Sequence, residues 1–564
     1  MKIVLVNFNY SFSLFDEFKP RFLESAITDL PIGLLLLAAV LEKNNYETKI
    51  IDLAQKIRKG EISINKNFHK NVAKTILREN FDVLGFNTRC DTYPSVLNVA
   101  RICKASRSHF KVVLGGPQAT FVDEDTLKNF PFVDIVVRGE GELTLVDLMN
   151  HLKNNKNLRD VLGITFREDG NIIRNEERGL IRNLDSLPFP AYHLMDGYIA
   201  SKKSFKQKYI PIHVGRGCPY ECTFCIASLM DERSCRLRSP ENILEEIEFL
   251  KKRYKINNFG FLHDNFLTKR ENVEKMCNLL NKEKTGIHWA CNSRIDTVDS
   301  ELLKRMSRSG CKQIYFGIES ASAQIRKSIK KILDISHVMN IVNECEKYGI
   351  RPTVSFIIGF PEEREEGINR TIELAFKIRN LYKCGLQFHL LTPIAGTKIF
   401  KQNKERLVFT GLLSDMADGP LAGLKENIYL IKNYPLIFSA FYTIKPKYLP
   451  LNLPYEIVDT FLKLSWVHPI SCYITMKELK LEPLSLLQEF KNWMKNRGSH
   501  YRKEFTVSIP DIKKYFSCFL KNVYNQKRQS FNLVKGITEF EKRLCIKNIP
   551  KEFRLQIYED MSDW

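Results

Sequence analysis

Short apolar runs alternate with amphipathic stretches as far as about residue 400, and then the alternation stops. Strands buried on both faces of a parallel sheet read as continuous apolar runs of about four to eight residues, punctuated by Gly, Pro or Asn. Such runs stand at 2–7, 49–52, 83–87, 111–114 and 134–138, with helical spacing at 31–44, 72–79, 94–106, from 123 to 129, and from 142 to about 152. Pro31 opens the first helix, where a missing N–H costs nothing, and Asp123 reads as a helix cap. Alternation of this kind predicts a Rossmann-like, doubly wound α/β domain over 1–155.

The stretch 156–207 reads as a linker. It holds a small hairpin, 163–167 and 171–173, turned by Asp169-Gly170, followed by an extended segment with Pro188 and Pro190. The alternation then resumes over 208–400, with strands at 210–214, 258–262, 287–291, 313–317, 353–358 and 386–391 and helices at 240–254, 271–283, 300–309, 335–348 and 368–381. Ser239 is the expected cap of the first of these helices. Six such units resemble a partial (β/α)6, TIM-like barrel. Beyond it, 401–564 loses the glycine punctuation and shows helical stretches at 424–432, 454–466, 484–496 and 511–525, so a mainly α-helical C-terminal domain is expected. Its interleaved aromatics and lysines read as a helical cap with its own core or as a platform over the barrel mouth.

Composition narrows the class. Lys and Arg number 86 against 65 Asp and Glu, a net charge of +21, but no stretch gathers the excess into a basic tail, so it reads as charge spread over solvated faces. No apolar run reaches the roughly 18 residues a membrane span needs. The first residues read as a strand rather than a signal peptide, and a cytoplasmic location is expected. Of 14 cysteines, Cys90, Cys103, Cys235, Cys277, Cys291, Cys311, Cys345, Cys384, Cys472, Cys518 and Cys545 stand singly without framework spacing, which suits a reducing compartment.

The other three are clustered in Gly215-Arg216-Gly217-Cys218-Pro219-Tyr220-Glu221-Cys222-Thr223-Phe224-Cys225. A short loop can turn three thiolates toward one point, and thiolates are the soft ligands that iron–sulfur clusters take. A cubane has four irons, so three ligands leave one iron for a non-protein group. The alternatives are three unrelated buried thiols and a zinc knuckle, which takes four ligands, often in paired Cys-x2-Cys units, and no second pair is present. Further polar residues end the strands on either side. In the first domain they are Asn87-Thr88-Arg89, Gly115-Gly116-Pro117 and Gly139-Glu140-Gly141-Glu142. In the second they include His263-Asp264, Arg294, Glu319-Ser320 and Gly359. Ligands of such folds bind at the carboxyl ends of strands.

The Cys-x3-Cys-x2-Cys spacing, with Phe224 before the last cysteine, resembles the radical S-adenosylmethionine superfamily. The glycine-rich strand ends before it, with Pro31-Ile32-Gly33-Leu34 and Leu114-Gly115-Gly116-Pro117, resemble the cobalamin-binding domain of its cobalamin-dependent members. The resemblance implies a 4Fe-4S cluster on Cys218, Cys222 and Cys225, with S-adenosylmethionine chelated to the open iron. It implies that Phe224 lies against the adenine, that Asp264 and Glu319 serve ribose hydroxyls or the methionyl ammonium, and that Arg294 holds the methionyl carboxylate. Ser320 and Gly359 fall in the family's ribose and adenine motifs. Cobalamin would be met by Thr88, Arg89, Gly115, Gly116, Pro117, Gly139, Glu140, Gly141 and Glu142. The Asp-x-His-x-x-Gly motif that gives cobalt a histidine in other cobalamin proteins is absent. Arg89 is then either a cation near the lower face, where it would disfavour Co(III), or a solvated loop charge.

The activity implied is methylation of an unactivated carbon in a peptide or small molecule, with S-adenosylmethionine serving as oxidant and as methyl source. The alternatives are a cobalamin-dependent cyclisation, ring contraction or oxidation without methyl transfer, and a non-catalytic cobalamin or redox sensor. An electron donor such as flavodoxin or ferredoxin is implied. A nucleic-acid partner is not expected, since neither a second cysteine set nor a terminal RNA-binding barrel is evident.

Overall fold

The computed structural model describes residues 1–8, 30–200, 209–381, 384–414, 416, 417, 419, 421–496 and 509–543. The end of the expected linker (201–207) and Cys545 lie outside the described residues. The chain forms two compact units, the first from Met1–Glu17, Glu24–Asn292 and Thr392–Thr443, the second from Phe18–Leu23, Ser293–Leu391 and Ile444–Trp564.

The first unit is built on a seven-stranded sheet of β1 (Lys2–Asn7), β2 (Glu47–Asp52), β3 (Val83–Asn87), β4 (Lys111–Gly115), β5 (Ile135–Val137), β6 (Ile164–Glu168) and β7 (Asn171–Arg174). They lie in the order β2-β1-β3-β4-β5-β6-β7. The first five are parallel, with Val4 opposite Lys49 on one side and Leu84 on the other. Side chains of a strand alternate between faces, and the two cores follow that rule. Val4, Val6, Val112 and Leu114 join one apolar cluster, and Ile3, Leu5 and Val113 join the other. Strand order reverses between β1 and β3, which places the ligand crevice of such a sheet outside their carboxyl ends, Asn7 and Asn87.

The expected hairpin forms around Asp169 and Gly170, whose φ values of 47° and 81° match a two-residue turn with both centres left-handed. Its strands extend the sheet: β6 pairs antiparallel with β5, and β7 with β6. Asp123 does not cap the helix Asp123–Asn129, which has no side-chain cap. Its carboxylate instead accepts from the Thr165 hydroxyl at 2.6 Å and pairs with Arg174 at 3.0 Å, so charged partners from the hairpin outcompete the local amides. The expected helix at 72–79 starts earlier, at Phe68–Ile76, since Phe68 and His69 extend its buried stripe. A short helix, Leu53–Arg58, was not legible; Asp52 caps it by accepting from Gln55 N at 3.1 Å.

The segment Thr392–Thr443 returns to this unit, although its start was expected in the barrel and the rest in the C-terminal domain. Ile431, Ile437, Phe438 and Phe441 complete the cluster that holds Val4 and Val6. Polar pins add to this: Asn427 donates to Ser95 Oγ at 2.7 Å, and Gln118 donates to the Ile437 carbonyl at 2.7 Å.

The (β/α)6 region begins in the first unit with β8 (Ile210–His213), the two-residue strands β9 (Gly215–Arg216) and β10 (Arg236–Leu237), β11 (Asn258–Leu262) and all but the last two residues of β12 (His288–Arg294). Strands β8, β11 and β12 are parallel neighbours, with Phe261 opposite Ile212 and Cys291. The intervening helix Pro240–Tyr254 is capped as expected, Ser239 Oγ accepting from Asn242 N at 3.1 Å.

The second unit continues the β–α alternation with β13 (Cys311–Glu319), β14 (Arg351–Ile358) and β15 (Gly385–Leu390), again parallel neighbours. Helix Ser300–Arg308 leads into β13, and helices Ile335–Lys347 and Glu365–Leu381 connect the three strands. Among the described residues five helices follow: Leu453–Val467, Pro469–Glu478, Pro483–Asn496, Ile509–Gln526 and Asn532–Arg543. Their core is aromatic, with Phe490 5.3 Å from Phe516 and 5.0 Å from Phe519. No helix among the described residues is long and apolar enough to cross a membrane.

Candidate active site

Chain geometry at the end of β8 explains the glycines around the cysteines. β9 pairs antiparallel with β10, Arg216 opposite Arg236, and so closes a loop that carries all three thiols. Gly217 has φ 82°, and a Cβ there would run into the Ser234 carbonyl and stand 2.6 Å from Asp231 Cβ. At Gly215 a Cβ would meet the Arg236 carbonyl at 2.5 Å and the His263 ring at 2.8 Å. Neither position has room for a side chain, which is why Arg216 stands between two glycines.

Within the loop Cys225 N donates to the Cys222 carbonyl at 3.1 Å, turning the chain back on itself. Burial pushes the Cys225 thiol up to about 12, and the charges of Cys222, Asp264 and Cys218 act in the same direction, so these groups are neighbours. None of the described cysteines is in a disulfide. Among the described residues no three His, Cys, Asp or Glu side chains converge as the ligands of a single ion would. Cluster ligands sit on separate corners of a cube and stand further apart. Three thiols on one glycine-hinged loop, with Phe224 among them, fit a cubane's donor set.

Beside the loop, Asp264 accepts from the Gly217 backbone, and burial raises its carboxyl above the usual range. His263 is buried, its Nδ1 accepts from Asn265 N at 2.8 Å, and burial lowers it to about 4, so it is neutral near pH 7. Cys235 Sγ lies 3.8 Å from its Nε2.

The strand ends in the second unit carry the other expected residues. Glu319 ends β13 in a left-handed conformation, φ 69°, and pairs with Lys331 at 2.6 Å; both side chains are buried. A Cβ at Gly317 would strike Glu319 Oε1 and stand 2.9 Å from Lys331 Nζ, so a side chain there would displace this ion pair. Ser320 Oγ accepts from Ser322 N at 3.1 Å. Arg294 closes its guanidinium on Asp296, at 2.9 and 2.6 Å, and donates to the Ile332 carbonyl at 3.3 Å. Gly359 has φ 106° and donates its N–H to Glu363 at 2.6 Å. Lys331 was missed in the sequence; only its place after a strand end could have marked it.

At the carboxyl ends of β3, β4 and β5, Thr88 Oγ1 donates to the Gly115 carbonyl at 2.9 Å and accepts from Ala119 N at 3.0 Å. Gly116, φ 100°, has Asn87 Oδ1 2.5 Å from where a Cβ would be, and Pro117 starts the next helix. Gly139, φ 65°, has nothing within 4 Å of its would-be Cβ, so the backbone there faces open space that a flat ligand can approach. A Cβ at Gly141 would stand 3.2 Å from Leu37 Cδ2. Arg89 is half-exposed and lies 3.3 Å from Asp91. Glycine-bearing strand ends beside the β1–β3 reversal, with open space at Gly139, fit cobalamin.

Glu140 and Glu142 face arginines of the cysteine loop. Arg216 donates to Glu140 and, at 2.6 Å, to Glu142. Arg236 donates to both Glu140 oxygens at 3.0 Å, to the Ile181 carbonyl at 2.7 Å and to Asp231. Burial works against the Arg216 charge, but Glu142 and Glu140 more than offset it and its pKa is raised. Sequence reading missed Arg216 and Arg236 as partners of these glutamates. The only signal was an arginine fixed between two obligatory glycines.

Comparison with known proteins places these two regions. Residues 28–149 match the B12 binding domain model, and residues 212–375 match the radical SAM superfamily model. An uncharacterized methyltransferase of Pyrococcus horikoshii is 34% identical over 377 residues, 66% of this chain and 78% of that one. A cytidylyl-2-hydroxyethylphosphonate methyltransferase of Streptomyces wedmorensis is 26% identical, over 71% of this chain and 81% of its own. An anaerobic magnesium-protoporphyrin IX monomethyl ester cyclase of Rubrivivax gelatinosus is 25% identical, over 52% of this chain and 54% of its own. Among solved structures, the cobalamin-dependent S-adenosylmethionine radical enzyme OxsB shares the fold with a TM-score of 0.60 at 15% identity, over 100% of this chain and 84% of that one. With a methyltransferase relative at this identity and with both cofactor-binding regions present, the chain belongs to the cobalamin-dependent radical S-adenosylmethionine enzymes, whose cofactors are a 4Fe-4S cluster, S-adenosylmethionine and cobalamin.

Proposed function

We propose that this enzyme methylates an unactivated carbon of a peptide or small molecule. The observation that carries this reading is the 34% identity to a methyltransferase, 78% of whose length is covered. When bound, the cluster with S-adenosylmethionine would supply hydrogen-atom abstraction, and cobalamin a transferable methyl group. Cys218, Cys222 and Cys225 would ligate three irons. Phe224 would lie against the adenine, and Gly359 would let backbone groups reach its edge. Glu319 would accept from the methionyl ammonium, its charge already held in place by Lys331. Arg294, braced by Asp296, would face the methionyl carboxylate. Asp264 and Ser320 would serve the ribose hydroxyls. Thr88, Gly115, Gly116, Pro117, Gly139 and Gly141 would form the floor under cobalamin, with Arg89 near its lower face.

The reaction needs a low-potential electron donor such as flavodoxin or ferredoxin, and a reducing cytoplasm suits both the donor and the many thiols. A division into 1–155, 156–207, 208–400 and 401–564 goes with this reading. A second reading, cyclisation or oxidation without methyl transfer, draws support from the 25% identity to an anaerobic cyclase. Anaerobic incubation of the reconstituted chain with methyl-deuterated S-adenosylmethionine, a reductant and a metabolite extract separates the two. Methylation yields 5'-deoxyadenosine, S-adenosylhomocysteine and a product carrying the label. 5'-Deoxyadenosine without S-adenosylhomocysteine overturns it in favour of the second reading.

A further inference from the structure

Glu140 immediately precedes the helix Gly141–Lys153, where a side chain normally accepts from the first-turn amides, yet it makes no such bond. Its carboxylate turns away, accepts from Ile181 N at 2.7 Å and receives Arg216 and Arg236. Glu142, in the first helical turn, completes a two-point grip on Arg216, at 2.6 and 3.3 Å. All four side chains are buried, with 7–11% of each exposed. Asp231 holds the other arm of Arg236 and also packs behind Gly217, whose would-be Cβ stands 2.6 Å from Asp231 Cβ. Arg216 is two residues from Cys218, and Arg236 lies opposite it across the β9–β10 ladder.

We propose that Glu140 and Glu142 are positioning residues for the cluster loop rather than ligands of cobalamin. They clamp both strands at the neck of the cysteine loop to the carboxyl end of β5, so the cobalamin-binding sheet sets where the cluster's cysteines stand. Outer partners of this kind fix the orientation of metal ligands. Because both glutamates are engaged by guanidinium groups, the corrin is left to the glycines and Thr88. The proposal rests on the assignment of a cluster to Cys218, Cys222 and Cys225.

The test uses the anaerobically reconstituted full chain with Glu140→Gln, Glu142→Gln, Glu142→Asp, Arg216→Lys and the double variant Glu142→Gln/Arg216→Lys. Three quantities are read: iron release to a chelator, the electron paramagnetic resonance (EPR) spectrum of the reduced cluster, and hydroxocobalamin affinity by absorbance. The Gln variants should release iron roughly tenfold faster and change the spectrum of the reduced cluster, with cobalamin affinity within about twofold of wild type. Glu142→Asp, which keeps the charge, should recover part of the loss. The double variant should lose no more than the worse single one, as residues of one network do. Unchanged iron release, weakened cobalamin binding with an intact cluster, or equal loss of both cofactors would each overturn the proposal. A wild-type chain that takes up no cubane would instead remove the cluster assignment beneath it.

Discussion

At Gly217 and Gly116, both at positive φ, an added carbon would meet backbone carbonyl oxygens closer than 3 Å. Gly217→Ala places a methyl group against the Ser234 carbonyl at a left-handed φ, so the cysteine loop cannot close. The expected outcome is a folded chain with normal circular dichroism that retains little iron after reconstitution. Glu363 gives a pH-dependent effect. Burial pushes its carboxyl from 4.5 to about 8, against the hydrogen bonds it receives from Gly359 and Phe360. Between those values the folded chain keeps a proton that the unfolded chain has lost, so this residue lowers stability as pH rises. Glu363→Gln removes that dependence, and thermal melts should show the variant gaining on wild type from pH about 5 to about 8. Parallel melting curves would contradict the assignment. For Arg89, half-exposed beside Asp91, Arg89→Ala with EPR of Co(II) reports whether the cation lies near cobalt: an altered axial pattern places it there, an identical spectrum leaves it a loop charge.

Element by element, legibility followed range in sequence. The hairpin at Asp169-Gly170 and the Ser239 cap were readable because cause and effect lie within a few residues. Asp123 was misread as a cap because its true partners, Thr165 and Arg174, are 42 and 51 residues away. The clamp on Arg216 reaches back 74 and 76 residues, and no local pattern announces it. Removing one partner from a buried ion network typically costs about 3–5 kcal/mol, because the other charge stays buried and unpaired. Arg216→Met should therefore lower the melting temperature clearly more than substitution of an exposed arginine such as Arg305. In the second unit Glu541 accepts from Ile470 N at 2.7 Å and from Ser471 Oγ at 2.5 Å, capping a helix from across the bundle. Glu541→Ala should cost about 1–3 kcal/mol in denaturant titration, the usual penalty for orphaned buried donors.

For the whole molecule, the order of architectures was legible: a doubly wound sheet, six β–α units, then helices. Periodicity reports which face of an element is apolar, so element types came through. It does not report which core that face joins. Ile431, Phe438 and Phe441 carry an ordinary apolar stripe, and only the fold shows that it completes the core around β1. The three cysteines stand out in the sequence for the opposite reason, since their spacing is local and their chemistry narrow.

The open corner of the cluster is best tested by low-temperature EPR of the anaerobically reconstituted, reduced chain, recorded with and without S-adenosylmethionine. The account predicts a cubane signal whose g-values shift when S-adenosylmethionine binds the iron that Cys218, Cys222 and Cys225 leave open. A signal that ignores S-adenosylmethionine, or a protein that carries zinc and shows no such signal, would contradict it.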